Sequence, residues 1–199
     1  MTASNPHDSV QAQVEALTVA AKKLNSSGNE AQALETYKTA AALMPGAPWL
    51  QHRTAELARK LKQPDVAALH YRRAAAAFIR AGFPKRALAP LRTAWQVSVA
   101  LLPNDSSTFI TITLELANVQ RELGFATDAR LSFTNANHAL RASGSSDRVP
   151  MGPELDKRSS QPPSATEGSQ PPDSGVKSNS QTPPPSDNLM SRLRAAVKP

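Results

Sequence analysis

One spacing governs what this chain can become: Ala, three residues, a bulky apolar residue, two residues, Ala. It occurs as Ala33–Tyr37–Ala40, Ala67–Tyr71–Ala74, Ala87–Leu91–Ala94 and Ala129–Phe133–Ala136. Positions i, i+4 and i+7 fall on one face of an α-helix, so each triplet is a stripe of one large side chain between two small ones. The small residues let a neighbouring helix come close, and the large one fills the groove beside it. The pattern predicts an all-α fold of stacked helical hairpins.

Breaker and capping residues divide the chain into about seven helices, over roughly 8–27, 29–44, 48–61, 64–81, 84–101, 106–123 and 126–142. Pro64 and Pro84 suit the first helical position, and Gly82 and Gly124 suit the residue after a helix. Asn29 and the pair Asn104–Asp105 offer N-terminal caps. Pro90 falls inside a predicted helix, where it removes a hydrogen bond and bends the axis. Ala87 follows Ala67 by 20 residues and Ala129 follows Ala87 by 42. Two successive helices therefore carry the stripe. The pair at 64–81 and 84–101 reads as a degenerate hairpin, with one of the seven helices left unpaired or capping.

These residues resemble the tetratricopeptide repeat (TPR) family. Its pattern places small residues at repeat positions 8, 20 and 27, a bulky one at 24 and often proline at 32. From Val14 those places hold Ala21, Ala33, Ala40, Tyr37 and Pro45; from Pro48 they hold Ala55, Ala67, Ala74 and Tyr71, with Ile79 in place of proline. The two starts are 34 residues apart, the period of the family. A last repeat from Ile110 supplies Ala117, Ala129, Phe133 and Ala136. The resemblance implies a TPR-like α-solenoid over 8–142 whose first helices line a groove for a peptide. Its exposed groove positions map to Lys22, Asn25 and Ser26, then to Trp49, His52, Glu56, Arg59 and Lys60, and last to Asn118 and Arg121. Lys22, Arg59, Lys60 and Arg121 suit acidic side chains or a peptide C-terminus. The family version that clamps a chaperone's terminal carboxylate is not reproduced, because Thr18 and Arg53 stand where a basic residue and an asparagine belong. Trp49 and Trp95 read first as half-buried core and second as partner anchors.

All nine aromatic residues precede residue 134, so the core does too. After Gly144 come Ser160-Gln161-Pro162-Pro163, Ser169-Gln170-Pro171-Pro172 and Ser180-Gln181-Thr182-Pro183. Such a composition cannot offset the entropy of folding, and 143–185 reads as a disordered Pro/Ser-rich linker. Residues 186–199 read as a short basic amphipathic helix or frayed tail, with Leu189, Leu193 and Val197 on one face.

The chain has no cysteine and a formal charge of +7. No apolar run approaches the ~20 residues of a membrane helix, and the N-terminus lacks a secretory pattern. A cytoplasmic protein without integral membrane association is expected. Between Asp65 and Asp105 there is no acidic residue, while Arg72, Arg73, Arg80, Lys85, Arg86 and Arg92 form a basic block. It reads either as a positive field for acidic partners or as a solvated helix surface. His7, His52, His70 and His138 lack metal-ligand spacing, and no phosphate loop or nucleophile elbow appears. No catalytic residue, metal or cofactor is therefore expected. The expected function is a non-enzymatic adaptor or scaffold binding another protein that presents an acidic or C-terminal peptide segment. A secretion or assembly chaperone, and nucleic-acid binding through 66–104, rank behind it.

Overall fold

A computed structural model describes residues 6–101, 105–145 and 148–151. The chain divides into two units, 1–149 and 150–199, and every described helix belongs to the first. Of the expected linker only 143–145 and 148–151 are described; the rest of it and the helix expected at 186–199 lie outside the described residues.

Within 1–149 the described residues form seven α-helices and no strand: α1 (Pro6–Ser26), α2 (Glu30–Leu43), α3 (Pro48–Lys60), α4 (Pro64–Arg80), α5 (Pro84–Ser98), α6 (Ser106–Glu122) and α7 (Ala126–Ala142). The predicted helix at 84–101 ends as α-helix at Ser98, and Val99–Leu101 tighten into a 3-10 turn. Pro90 is buried inside α5, and the helix continues through it. Each helix packs chiefly on its neighbours in sequence. All twelve stripe residues are buried, from Tyr37 at 7% exposure down to the eight alanines at 0%. Ala21, Ala55 and Ala117, on the preceding helix of each hairpin, are fully enclosed too. With no side chain beyond Cβ, these residues let the backbones close on one another around Tyr37, Tyr71 and Phe133.

One turn recurs. The amide of Asn29 donates to the Leu24 carbonyl, and the same six-residue bond joins Gln63 to Ala58, Phe83 to Phe78, Phe125 to Gln120 and Ser145 to Leu140. Each closes a helix end in the Schellman arrangement, which requires a left-handed residue inside the loop. Gly28, Gly82, Gly124 and Gly144 fill that place at four turns, and Lys62 fills it at the fifth with φ 57°. Four of these turns join the tightly packed pairs α1–α2, α3–α4, α4–α5 and α6–α7. The link at 44–47 uses other geometry, and the α2–α3 and α5–α6 junctions are thinner. Thus α5 is a third helix added to the α3–α4 hairpin.

A longer repeat underlies this grouping. Ala55, Lys62, Ala67, Tyr71, Ala74 and Gly82 recur as Ala117, Gly124, Ala129, Phe133, Ala136 and Gly144, each 62 residues on. Helices α4 and α7 occupy identical places in this register.

Caps depart from expectation in one place. Asn29 makes no side-chain bond to the next helix; its amide nitrogen reaches Ser27 Oγ at 3.4 Å instead. Asp105 does cap α6, accepting from the Thr108 amide at 3.1 Å and from Ser107 Oγ at 2.7 Å. Those bonds lower its carboxyl to about 2.

Lys62→Gly tests the turn. A side chain in the left-handed region costs on the order of 1 kcal/mol, and glycine removes that cost. We expect a gain of about 1 kcal/mol in urea unfolding, with Gly124→Ala losing a similar amount although its Cβ would meet no atom within 4 Å.

Candidate functional site

The most built concavity is a cleft of about 320 Å³ between α1, α2 and α3. Helix α1 supplies Lys22 and Asn25, three residues apart and so on one face. Helix α3 supplies Arg53, Glu56, Leu57 and Lys60, whose spacings of three, four and seven also share a face. Tyr37, the large residue of the first stripe, is the α2 contribution. Burial pushes the Tyr37 phenol up, partly opposed by the charge of Arg53. The lining thus carries three cations, one carboxylate, a phenol and an amide.

Two of the cations have intramolecular partners. Arg53 donates to Glu56 at 3.0 Å, and Lys60 pairs with Glu30 of α2. The Arg53 and Lys60 side chains remain more than 60% exposed, so each pair is worth at most about 1 kcal/mol and exchanges readily for another carboxylate. Lys22 makes no ion pair among the described residues.

The residues expected in one groove are distributed. Lys22, Asn25 and Lys60 meet in this cleft. His52 and Arg59 gather around Tyr71: the His52 ring stands edge-on at 5.4 Å, and the Arg59 charge lies near the phenol. Burial pushes the Tyr71 phenol up, the Arg59 charge opposes it, and Glu56 adds to it. Asn118 and Arg121 form a separate pair on α6, with Arg121 donating to Asn118 Oδ1 at 3.0 Å and lying 5.7 Å from the centre of the Phe133 ring. Arg59 and Tyr71 correspond to Arg121 and Phe133 62 residues on, and of the two pairs Arg121 stands over the face of its ring. The basic cleft itself is not repeated, since Glu115 and Glu122 stand where the first copy has Arg53 and Lys60. Sequence reasoning overlooked Arg53 as a cleft residue, although its i, i+7 relation to Lys60 places both on one stripe.

Trp49 is 49% exposed and sits outside the core. Trp95 packs against three clusters at once, those of Ala94 and Ile112, of Leu91 and Leu116, and of Phe109 and Ala139. The reading as core fits Trp95, whereas Trp49 stays about half exposed.

The basic block is partly neutralised in space by acids distant in sequence. Arg72 Nε meets Glu115 at 2.7 Å, joining α4 to α6, and Arg92 meets Asp128 at 3.4 Å, joining α5 to α7. Arg86 lies 5.0 Å from the centre of the Phe83 ring. Arg73, Arg80, Lys85 and Arg86 make no ion pair among the described residues.

A buried polar relay links three helices. Gln51 Nε2 donates to the Ala41 carbonyl at 3.1 Å, and Gln51 Oε1 lies 2.7 Å from His70 Nδ1. Because that oxygen only accepts, His70 carries its proton on Nδ1. Burial, with Arg73 and Lys38 nearby, lowers the imidazole to about 4.

Among the described residues, no helix is long and apolar enough to cross a membrane, and no cluster of His, Asp or Glu could hold a metal ion. No protein-family model and no curated protein matches the chain.

Two measurements follow. Unfolded His70 takes a proton near pH 6.5 that the folded site refuses until about 4, so the stability it provides is present above 6.5 and lost as pH falls through that window. Unfolding free energy should drop by about 2 kcal/mol from pH 7 to pH 5, and His70→Gln should flatten that slope. Separately, Trp95→Ala should cost about 3 kcal/mol or more in chemical denaturation and Trp49→Ala less than about 1 kcal/mol, the difference lying in burial.

Proposed function

We propose that this chain is a non-enzymatic interaction module, a TPR-like solenoid that binds an acidic peptide segment or peptide C-terminus of another protein. The observation that carries the reading is the α1–α2–α3 cleft. Lys22, Arg53 and Lys60 converge there over Tyr37 and Leu57, against the single carboxylate of Glu56. An extended acidic segment laid along this surface exchanges weak exposed ion pairs for its own carboxylates. Asn25 offers an amide to the peptide backbone, and Tyr37 and Leu57 offer apolar contact. The TPR assignment is supported by the small–large–small stripes, all buried, and by the 34-residue offset of the first two hairpins.

The adaptor reading is favoured over nucleic-acid binding because Glu115 and Asp128 lie beside Arg72 and Arg92 and place negative charge within the basic block. The positive field there is weaker than the sequence suggests, and phosphate binding depends on that field.

The test is fluorescence anisotropy with a labelled Asp/Glu-rich peptide bearing a free C-terminal carboxylate. Lys22→Ala and Arg53→Ala should each weaken binding about tenfold, as loss of a charge-assisted hydrogen bond does. Arg121→Ala, outside the cleft, should leave the affinity unchanged. Indifference of the peptide to a Lys22→Glu/Arg53→Glu double replacement rejects the cleft as the binding site.

A further inference from the structure

The 62-residue register poses a question at its second end. In the first copy the Schellman turn at Gly82 launches α5, which packs Ala87 and Leu91 against Ala75 of α4. In the second copy the same turn, at Gly144, follows α7 with the same bonds. No helix follows among the described residues; 148–151 has no regular secondary structure. The sequence states why. Pro150, Gly152 and Pro153 stand at the places of Leu88, Pro90 and Leu91, and two prolines flanking a glycine oppose a helix.

The surface changes in step with what covers it. Ala75 corresponds to Asn137, and Ala87 corresponds to Val149. These two residues meet: the Val149 amide donates to Asn137 Oδ1 at 2.8 Å, and Asn137 Nδ2 donates to the Val149 carbonyl at 3.1 Å. A carboxamide bonded both ways to one residue imitates a strand neighbour, since it satisfies the N–H and C=O of that residue together. A helix arriving there would bring its own backbone bonds already made and would need only a small apolar contact, which Ala75 supplies. An extended segment brings bare backbone groups and needs a polar partner, which Asn137 supplies. Asn137 is itself buried to 9% exposure, so losing its partner leaves a polar group uncompensated.

Val149 is suited to the role. It is β-branched and precedes proline, and both properties hold a residue in extended conformation. Seven residues before Asn137, and so on the same face of α7, Arg130 keeps a buried Nε–H without a partner among the described residues.

We propose that the α7 face is a backbone-reading site for an extended peptide, specific for a β-branched residue followed by proline, and that the chain's own Val149 occupies it in cis. The site lies apart from the basic cleft and does not depend on the role assigned to that cleft. The Val149 segment thus takes, in register, the place that the start of α5 holds in the first copy. A competing peptide of the same class, with a hydrogen-bond acceptor to reach Arg130, enters only by displacing it.

Trypsin reads the occupancy directly, because the Arg148–Val149 bond carries the clamped amide. In the full chain, Asn137→Ala and Asn137→Asp should each speed cleavage at that bond about tenfold, while the thermal midpoint and cleavage within the helices stay as in the wild type. A second arm replaces Arg148-Val149-Pro150-Met151 by Gly-Ser-Gly-Ser in the full chain. That variant should bind the acetylated, amidated peptide Ser-Asp-Arg-Val-Pro-Met, and adding Asn137→Ala should abolish the binding. Equal cleavage rates in wild type and both Asn137 variants, or no peptide binding by the vacated chain, overturns the proposal.

Discussion

Close approach of helices across alanine faces is the constraint on which the rest of the fold depends. Ala33, Ala40, Ala67, Ala74, Ala129 and Ala136 are wholly enclosed, and each flanks one large ring that fills the space between backbones. Alanine is also the best helix former, so the residues that permit the contact also favour the elements that make it. A bulkier side chain at these places would push the pair apart and strip Tyr37, Tyr71 or Phe133 of contacts on several sides at once. Three of the nine aromatic rings, those of Tyr37, Tyr71 and Phe133, are enclosed by stripes, whereas Trp49, Phe83 and Phe125 stay about half exposed. The neighbour-to-neighbour packing allows the chain to add helices one at a time, as α5 is added to α3–α4.

Electrostatics is layered on this frame. Ten polar residues are buried among the described residues, and several are tied by hydrogen bonds: Gln51 to Ala41 and His70, Ser132 to Gln120, Thr113 to the Phe109 carbonyl. Charges stay at the surface, where they join non-neighbouring helices through Arg72–Glu115 and Arg92–Asp128 or remain open, as Lys22 does. The cleft gains its basic character from the first hairpins alone, since the second copy reverses the sign at two of the corresponding positions. Among the described residues, the second copy therefore does not repeat the basic cleft of the first.

The two ends of the long repeat show how small substitutions redirect an element. With the same turn and the same helix before it, Leu88 and Leu91 accompany a third helix, while Val149 and Pro150 lie in a segment without regular secondary structure. The facing residue changes from Ala75 to Asn137 accordingly. Backbone hydrogen bonding explains both halves of that exchange, because a helix satisfies itself and an extended chain must be satisfied from outside.

The helices were legible in the sequence because their causes are local. Stripe spacing, prolines at first positions and glycines after last ones act within a few residues, and the predicted spans match the seven helices to within a few residues at each end. The α5 end was overdrawn because Val99–Leu101 tighten into a 3-10 turn, which apolar periodicity does not register. Side-chain grouping was less legible. That Lys22 meets Lys60 while Arg121 stays with Phe133, that Glu115 answers Arg72, and that Trp49 is exposed while Trp95 joins three clusters are matters of which faces turn together. Periodicity assigns a residue to a face of its own helix, whereas its neighbours depend on crossing angles summed over several turns. By itself the sequence determined the class, the number of helices and the stripes that pack them. Only the tertiary structure decided which charges share a cleft and which backbone groups Asn137 reads, because those contacts join residues that no local spacing relates.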